Sequence, residues 1–266
     1  MNRIKISIFL ILIFCLNIYA NSRLKNIHVI PYASTMRLND CNSNMKVNGE
    51  YNVIKHLIKS GDVVFDVGAS RGDWSNCVFS LHKAVLVYAF EPIPDVFTSL
   101  QETCKDKLGF AYNLALSNKK GKSEFCYYSS NYSNSRMSGF YDRKILKEKL
   151  KLAHEKIMVE VDTLDSFCSE NLINHIAFLK IDTEGEELNV LKGALGLLQN
   201  KAISAIQFEY GGCYIDSEST LQEVYKLLSK HGYAIFRIFP KGLIKIEKWK
   251  DQLENYKYCN YLAVLH

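Results

Sequence analysis

Acidic residues stand at the ends of three apolar runs that have the composition of buried β-strands. Asp66 ends the first run in VVFDVG, Glu91 follows the second in VYAFEP, and Asp182 follows the fourth in FLKIDTEGE. The carboxyl ends of parallel strands share one edge of a sheet, and ligands bind beyond that edge. We therefore expect these carboxylates to face a common site and to act on one bound molecule.

The first acid is followed by a turn in which Gly68, Ala69 and Gly72 are the candidates for contact with a ligand. Gly68 permits a tight turn, and Gly72 lets the backbone approach a ligand or lets the next helix pack close to the strand. The G-x-x-x-G spacing differs from the G-x-G-x-x-G of dinucleotide sites, and the chain contains no G-x-x-x-x-G-K-[ST] phosphate loop. The spacing therefore argues against both kinds of phosphate site.

Charge distinguishes the remaining ligands. A carboxylate at Asp66 would repel a pyrophosphate by about 1 kcal/mol or more where water is partly excluded. An ammonium and a sulfonium would be attracted instead, and S-adenosylmethionine carries both. Glu91, about 25 residues further on, occupies the position from which an acidic side chain accepts both hydroxyls of an adenosine ribose. After the third strand, Asn113 and Ala115 are candidates for contact with the adenine, although Asn113 could instead cap a turn.

The fourth strand leads into the densest group of carboxylates in the chain. Methyl transfer is an in-line displacement that needs an aligned acceptor, and a hydroxyl acceptor must also lose its proton. Asp182 and Glu184 are the candidate catalytic bases, with His56 as a more distant alternative. Acidic residues in this stretch could alternatively offset the dipole of the following helix, where Thr183 and Glu186 have the spacing of a capping box.

The fifth strand ends in IQFEYGG, which puts Glu209 and Tyr210 at the same edge of the sheet. Glu209 would hold an acceptor hydroxyl, and Tyr210 would stack on a sugar or another bound ring. Ordinary loop packing is the alternative for both residues. With this pair, the predicted site extends from the cofactor side to the substrate side.

These candidates require strands that end at a common edge, and the apolar pattern supplies them. Short apolar runs with β-branched and aromatic residues predict strands buried on both faces, as parallel sheets require. Segments with helical spacing lie between most of them, so the alternation predicts a doubly wound α/β sheet with helices on both sides. We expect strands at 63–67, 85–90, 110–114, 176–181, 203–208, 234–238 and 261–265, and helices at 73–82, 94–105, 184–199 and 221–230.

The beginning of the chain differs from the rest. Arg3 and Lys5 precede an apolar run that ends near Ala20, so we interpret residues 1–20 as a signal peptide or a signal anchor. If it is not cleaved, the segment would tether the protein to a membrane through residues 4–20. The expected location is therefore a membrane or the secretory pathway.

The remaining chain divides into a polar linker at 21–47 and a main domain at 48–266, with an insertion at about 119–161 that could cover a site. Because S-adenosylmethionine is made in the cytosol, an export signal implies one of two arrangements. Either the compartment imports the cofactor, or the apolar segment is an anchor that leaves the domain on the cytosolic side. Charges flanking the segment do not decide between them.

The composition is that of an ordinary globular protein. Hydrophobic residues make up 48% and charged residues 23% of the 266 positions, and the net charge of +5 is spread over lysine-rich segments typical of solvated faces. Nucleic acid is therefore not an expected partner. The cysteines form no C-x-x-C pair, so we expect no zinc or other metal site, and a disulfide that includes Cys41 or Cys213 remains open.

Taken together, residues 48–266 resemble the FkbM family of S-adenosylmethionine-dependent methyltransferases. The resemblance rests on VVFDVGASRGDWS, VYAFEPIPDVFTSL, NLALSNKKG, VEVDTLDSF, FLKIDTEGEELNVLKGA and IQFEY, in this order. It implies a Rossmann-like seven-stranded methyltransferase fold, with a mostly parallel sheet and an antiparallel last strand. It also implies O-methylation of a hydroxyl, often on a sugar or a polyketide-like product.

The resemblance also extends to individual residues. It implies that Asp66, Gly68 and Gly72 border the methionine part of the cofactor and that Glu91 holds its ribose. The block DTEG at 182–185 matches the strongest motif of the family.

We predict an S-adenosylmethionine-dependent O-methyltransferase that acts on a hydroxyl of a glycan or a small metabolite. Segment 129–155 matches no part of the family firmly, so the sequence does not identify the methyl acceptor. A non-catalytic binding module that keeps the cofactor pocket is the alternative. A nicotinamide-dependent oxidoreductase is a further alternative, but the chain lacks the glycine spacing that such an enzyme needs.

Overall fold

The computed structural model describes residues 24–30, 42–128, 136–144, 148, 151 and 154–266. The predicted signal or anchor at 1–20 lies outside these ranges, as does most of the predicted linker. In the part that is described, the helices are too short or too polar to cross a lipid bilayer.

Strands and helices alternate along the chain, as the apolar pattern predicts. The strands are β1 (Val63–Val67), β2 (Leu86–Phe90), β3 (Gly109–Tyr112), β4 (Ala115–Leu116), β5 (Gly121–Tyr127), β6 (Glu155–Asp162), β7 (Phe178–Ile181), β8 (Ala205–Tyr210), β9 (Tyr233–Phe239), β10 (Gly242–Lys245) and β11 (Cys259–Leu265). The helices are α1 (Glu50–Leu57), α2 (Asp73–Leu81), α3 (Pro94–Cys104), α4 (Leu164–Glu170), α5 (Glu187–Lys192), α6 (Leu195–Gln199), α7 (Cys213–Asp216) and α8 (Leu221–Lys230), with a short 3-10 helix at Asp251–Leu253.

Within the described residues, eight strands form one sheet in the order β10-β9-β11-β8-β7-β1-β2-β3. The pairs from β3 through β2, β1 and β7 to β8 are parallel, whereas β11 is antiparallel to both of its neighbours, β8 and β9. The last strand is therefore inserted antiparallel, as the family resemblance implies. The sheet has eight strands rather than seven because β10 folds back on β9 as an antiparallel hairpin.

The central strands are buried on both faces, which explains their continuous apolar sequences. Successive side chains of a strand point to opposite faces. Phe65 belongs to the apolar cluster that contains Leu228 of α8, whereas the preceding Val64 belongs to the cluster that contains Val78 of α2. Helices on both faces thus hold the strand ends in place, and the residues that follow those ends are positioned by the core.

The structure corrects the single helix predicted over 184–199. Glu184 has a left-handed backbone (φ 55°) and Gly185 follows with φ 113°, so the helical segment begins only at Glu187. Two short helices, α5 and α6, replace the single one. In this stretch the expected capping box does not form; the Glu187 carboxylate instead accepts hydrogen bonds from the backbone N–H groups of Thr183 and Gly185, at 2.8 and 3.1 Å.

A second sheet lies in the region predicted as an insertion. β6 pairs antiparallel with β5 and parallel with β4, so the sequence GKSEFCY at 121–127 pairs with a strand that begins about 30 residues later in the chain. Gly139 forms a β-bridge with Cys126 of β5, and the ring of Phe140 contacts that of Phe125 edge to face at 5.2 Å. These contacts fix the segment 136–144 against the small sheet.

Among the described cysteines, Cys77, Cys104, Cys168 and Cys213 are free thiols. A disulfide from Cys213 is therefore not formed in this structure. Cys41 lies outside the described residues.

Candidate active site

A pocket opens at the carboxyl edge of the large sheet, where β1, β2 and β7 end side by side. It combines acidic residues at strand ends, an apolar wall around β4, and part of the segment 136–144. The residues that line it are Val67, Gly68, Ser70, Glu91, Pro92, Ile93, Leu114, Ala115, Leu116, Phe125, Arg136, Ser138, Phe140, Asp182, Thr183 and Glu184. An apolar wall beside carboxylates suits a flat aromatic base that is joined to a cationic group.

Glu91 lies buried at the end of β2 and lines the pocket. Its Oε2 accepts a hydrogen bond from the backbone N–H of Ser70 and its Oε1 accepts one from Ile93, both at 2.9 Å. Each carboxylate oxygen has two acceptor positions, so a ligand hydroxyl can still donate to either oxygen. Burial raises the pKa of Glu91 to about 7, although the two backbone hydrogen bonds oppose this rise.

Asp66, which is predicted to border the ligand, is not among the residues that line the pocket. The carboxylate is fully buried, accepts a hydrogen bond from Ser75 Oγ at 2.7 Å, and lies 3.4 Å from Lys180 Nζ. Because side chains alternate along a strand, Asp66 points toward α2 whereas the next residue, Val67, lines the pocket.

Lys180 connects Asp66 with the pocket. Its side chain is 7% exposed, and its Nζ lies 3.4 Å from Asp66 Oδ1 and 3.1 Å from Asp182 Oδ2. Burial lowers the pKa of Lys180, but the carboxylates of Asp182 and Asp66 outweigh that effect and hold the pKa above its usual value. A buried, charged ammonium therefore orients Asp182, whose side chain is 35% exposed at the pocket.

Gly68 and Gly72 serve different contacts. Gly68 has φ 76°, and a Cβ atom there would collide with the backbone carbonyl of Asp182, so only glycine lets the ends of β1 and β7 approach this closely. At Gly72 (φ 85°), a Cβ atom would lie 2.9 Å from the side chain of Leu100 on α3. Gly72 thus supports helix packing, the second of the two roles that the sequence allows, and neither Gly72 nor Ala69 is among the residues that line the pocket.

Ser70 lines the pocket although the sequence did not identify it. Its backbone is left-handed (φ 50°), and its buried hydroxyl has no hydrogen-bond partner among the described residues. A buried polar group without a partner costs about 1–3 kcal/mol. The orphaned hydroxyl therefore fits a ligand that supplies the missing hydrogen bond.

Asn113 stabilises a turn, which is the alternative to an adenine contact that the sequence left open. Its Nδ2 donates hydrogen bonds to the backbone carbonyls of Glu91 and Pro92, both at 2.9 Å, and it is absent from the pocket lining in the described chain. It therefore braces the turn that carries Glu91. Ala115, in contrast, lines the pocket next to Leu116 and forms part of the apolar wall, and its contact with the adenine stays a prediction.

Glu184 lines the pocket from a left-handed backbone. Non-glycine residues in this conformation cost about 1 kcal/mol or more and cluster at functional sites. Arg143 Nη1 donates a hydrogen bond to Glu184 Oε2 at 2.6 Å. Burial raises the pKa of Glu184, and Arg143 opposes this rise. The alternative base, His56, lies on α1 and is not among the lining residues.

Glu209 and Tyr210 have different surroundings although they are adjacent in sequence. The carboxylate of Glu209 approaches that of Glu184 to within 4.8 Å. The hydroxyl of Tyr210 donates to Glu254 at 2.9 Å and accepts from the backbone N–H of Tyr256 at 2.7 Å. Its ring is fully buried among other tyrosine rings, so the prediction that Tyr210 stacks on an acceptor is wrong.

The charges at the pocket favour a cationic ligand. Glu91, Asp182 and Glu184 contribute three carboxyl groups among the described lining residues, and Arg136 contributes the cation. Arg136 is itself paired with Asp73 at 2.7 Å. A pyrophosphate would meet an acidic wall, whereas a sulfonium or an ammonium would be attracted.

The sequence did not identify three residues of the site. Ser70 lines the pocket, and Lys180 and Arg143 contact the carboxylates of Asp182 and Glu184. The spacing in LKID indicated that Lys180 and Asp182 share one face of a strand, but the partner Asp66 is 114 residues earlier in the chain. Arg143 lies in a segment without apolar periodicity, so its sequence gave no indication of a partner.

Comparison with known proteins identifies the family. Residues 66–235 match the model of the methyltransferase FkbM domain. The 31-O-demethyl-FK506 methyltransferase FkbM of Streptomyces tacrolimicus is 29% identical over 202 residues, which cover 67% of this chain and 75% of that protein. The hexuronic acid methyltransferase AglP of Haloferax volcanii is 28% identical over 69% of this chain and 70% of its own length. The 2-O-methyltransferase NoeI of Sinorhizobium fredii is 22% identical over 76% and 83%.

Proposed function

The chain belongs to the FkbM methyltransferase family, and on this premise we propose that it transfers a methyl group from S-adenosylmethionine to a hydroxyl of a glycan or a small metabolite. The names of its relatives support this acceptor class, since they include a 2-O-methyltransferase and a hexuronic acid methyltransferase. The relatives differ in acceptor, so the proposal does not extend to one compound.

One observation carries the proposal: carboxylates that follow β2 and β7, the two strands that flank β1, line one pocket that also has an apolar wall. Glu91 is proposed to accept the ribose hydroxyls, and the wall that includes Ala115 is proposed to contact the adenine. Asp182 also lines the pocket, beside the turn that contains Gly68. The unpartnered hydroxyl of Ser70 supports the presence of a polar ligand between them.

When bound, S-adenosylmethionine supplies a methyl group on a sulfonium whose sulfur keeps the electron pair of the broken bond. The protein must then align the acceptor and remove the proton of its hydroxyl. Asp182 and Glu184 are the proposed bases, because both line the pocket and Lys180 and Arg143 hold their carboxylates in place.

Replacing Asp182 tests whether the protein is a catalyst or only a binding module. General-base catalysis contributes about 100-fold or more to a rate. We expect D182N and D182A to bind S-adenosylhomocysteine within about threefold of wild type while methyl transfer falls by about 100-fold or more. The measurement uses S-adenosylmethionine labelled in its methyl group and a panel of neutral and uronic acid glycosides.

The matched control is D95N, since Asp95 is an exposed carboxylate on α3 outside the pocket. It should leave both binding and transfer unchanged. Retention of full transfer by both Asp182 variants would remove this residue from the mechanism. A wild-type protein that binds the cofactor but methylates no hydroxyl in the panel would support the binding module instead.

We also propose that residues 1–20 are a signal peptide or a signal anchor, on the basis of Arg3, Lys5 and the apolar run that follows them. N-terminal sequencing of the mature protein from membrane and soluble fractions tests this. Cleavage after Ala20 is expected for a signal peptide, and an intact N-terminus in the membrane fraction for an anchor. An intact N-terminus in the soluble fraction would contradict both.

A further inference from the structure

Arg143 lies outside the strands and helices and contacts Glu184, one of the two proposed bases. It belongs to the segment 136–144, which is fixed against the small sheet, and its Nη1 lies 2.6 Å from Glu184 Oε2. The two side chains are only 13% and 18% exposed. An ion pair that is shielded from water to this degree is screened much less than a surface pair.

Glu184 also faces a second carboxyl group. Oxygen atoms of Glu184 and Glu209 and the sulfur of Cys213 lie within 4.8 Å of one another. Two carboxylates this close in a partly buried site repel each other when both are ionised, so the two groups titrate as a coupled pair. The groups that act on this pair are Arg143, Asp182, Glu187, Cys213 and Lys180.

The surroundings differ for the two members of the pair. Burial raises the pKa of Glu184, and Arg143 is the main influence that lowers it. Burial also raises the pKa of Glu209, and Asp182, Glu184 and Glu187 raise it further, with Lys180 opposing them. The cation in direct contact is therefore on the Glu184 side of the pair.

We propose that Arg143 is a positioning residue that makes Glu184 the first member of the pair to ionise, while Glu209 holds its proton to higher pH. This inference rests on the proposed function, in which Asp182 and Glu184 are the two candidate bases, and it describes the step in which Glu184 receives the proton of the acceptor hydroxyl. The acceptor O–H bond breaks, its proton passes to Glu184, and the oxygen electron pair forms the bond to the incoming methyl carbon. The proton then leaves to solvent before the next turnover.

The arrangement gives Glu184 the properties that a base requires. An ionised carboxylate is available only because the guanidinium compensates its charge. The nearby carboxylates Asp182 and Glu187 limit that compensation, so Glu184 remains more basic than an isolated ion-paired carboxylate. A base whose pKa lies near the working pH is the most effective one.

The experiment is a titration of the full chain labelled with carboxyl-13C glutamate, followed by NMR. The signals of the pair are assigned by their loss in E184Q and in E209Q. In wild type we expect Glu184 to lose its proton near pH 8, while Glu209 is still protonated. In R143Q we expect the proton affinity of Glu184 to rise by about 10-fold or more, and in R143K we expect most of that rise to be absent.

A second variant keeps the test valid if R143Q does not fold. In E209Q, a neutral amide replaces a neutral carboxyl group, so the proton affinity of Glu184 should change by less than about threefold. If Glu209 were instead the ionised member, its removal would lower the proton affinity of Glu184 markedly and overturn the proposal. An unchanged Glu184 midpoint in R143Q would overturn it as well.

The matched control is K122Q, which removes a cation from an ion pair of the same length, 2.6 Å to Glu160, on the exposed surface. It should leave the Glu184 and Glu209 midpoints unchanged. Neither measurement uses a methyl acceptor, so this inference can fail while methyl transfer is observed. Equally, the titrations can succeed when no acceptor is methylated.

Discussion

Replacing Glu91 by alanine is expected to weaken binding of S-adenosylhomocysteine by about 100-fold. Hydrogen bonds to a charged group contribute about 1.5–3 kcal/mol each, and the proposed contact with the ribose contains two of them. A loss of about 3 kcal/mol corresponds to roughly 100-fold in the dissociation constant. Isothermal titration calorimetry of wild type and variant measures the change.

The isosteric variant E91Q separates charge from shape. Glutamine keeps one acceptor oxygen for the backbone N–H of Ser70 or Ile93, so E91Q should stay folded and lose about 10-fold in affinity. E102A is the matched control, because Glu102 is an exposed glutamate on α3 whose partner Lys105 is exposed as well. Wild-type affinity in both Glu91 variants would exclude the ribose contact.

The same residue sets the pH dependence of binding. Burial raises the pKa of Glu91 to about 7, and hydroxyl donors need the ionised carboxylate. Affinity should therefore be highest above pH 7 and fall at lower pH, as the carboxylate takes up its proton, to a level about 10-fold lower, which is the loss expected for the neutral side chain of E91Q. This dependence should be absent from E91Q.

A micromolar response of the wild type to NAD, with none to S-adenosylhomocysteine, would contradict the identity of the cofactor.

Replacing Lys180 by methionine is expected to lower the free energy of unfolding more than any other substitution that we propose. Methionine fills a similar volume but leaves the fully buried carboxylate of Asp66 with Ser75 as its remaining hydrogen-bond donor. Breaking a buried ion pair by removing one partner costs about 3–5 kcal/mol. The free energy of unfolding, measured by urea denaturation, should fall by this amount.

Two comparisons identify the cause of that loss. The double variant K180M/D66N should recover part of the stability, since a neutral amide then lies beside Ser75. K122M, which breaks the exposed pair with Glu160, should cost less than about 1 kcal/mol. If K180M costs no more than K122M, the buried ammonium does not stabilise Asp66.

Much of the site could be predicted because parallel strands bring their carboxyl ends to one edge. Glu91 and Asp182 follow recognisable apolar strands, and both line the pocket. Gly68 could be predicted as a turn residue, but its close approach to the carbonyl of Asp182 depends on which strand lies next to β1. Strand order is a property of long-range pairing and leaves no local sequence pattern.

The direction of a side chain at a strand end was harder to predict. Asp66 and Val67 are adjacent, but alternation along β1 points their side chains to opposite faces. Val67 therefore lines the pocket and Asp66 does not. A central strand is apolar on both sides, so its sequence does not say which face meets the pocket. Tyr210 illustrates the same point: its polar hydroxyl suggested a ligand contact, but Glu254 and Tyr256 already satisfy it.

The amino-acid sequence alone established the α/β class, the positions of most strands, the cationic cofactor and the family, because these depend on local periodicity and on motifs within a few residues. Three features depend on the tertiary structure. The helix begins only after Glu184, the buried Asp66 pairs with Lys180, and Arg143 contacts Glu184. Such contacts join residues about 40 to 114 positions apart. Their energies depend on burial and distance, which exist only after the chain has folded.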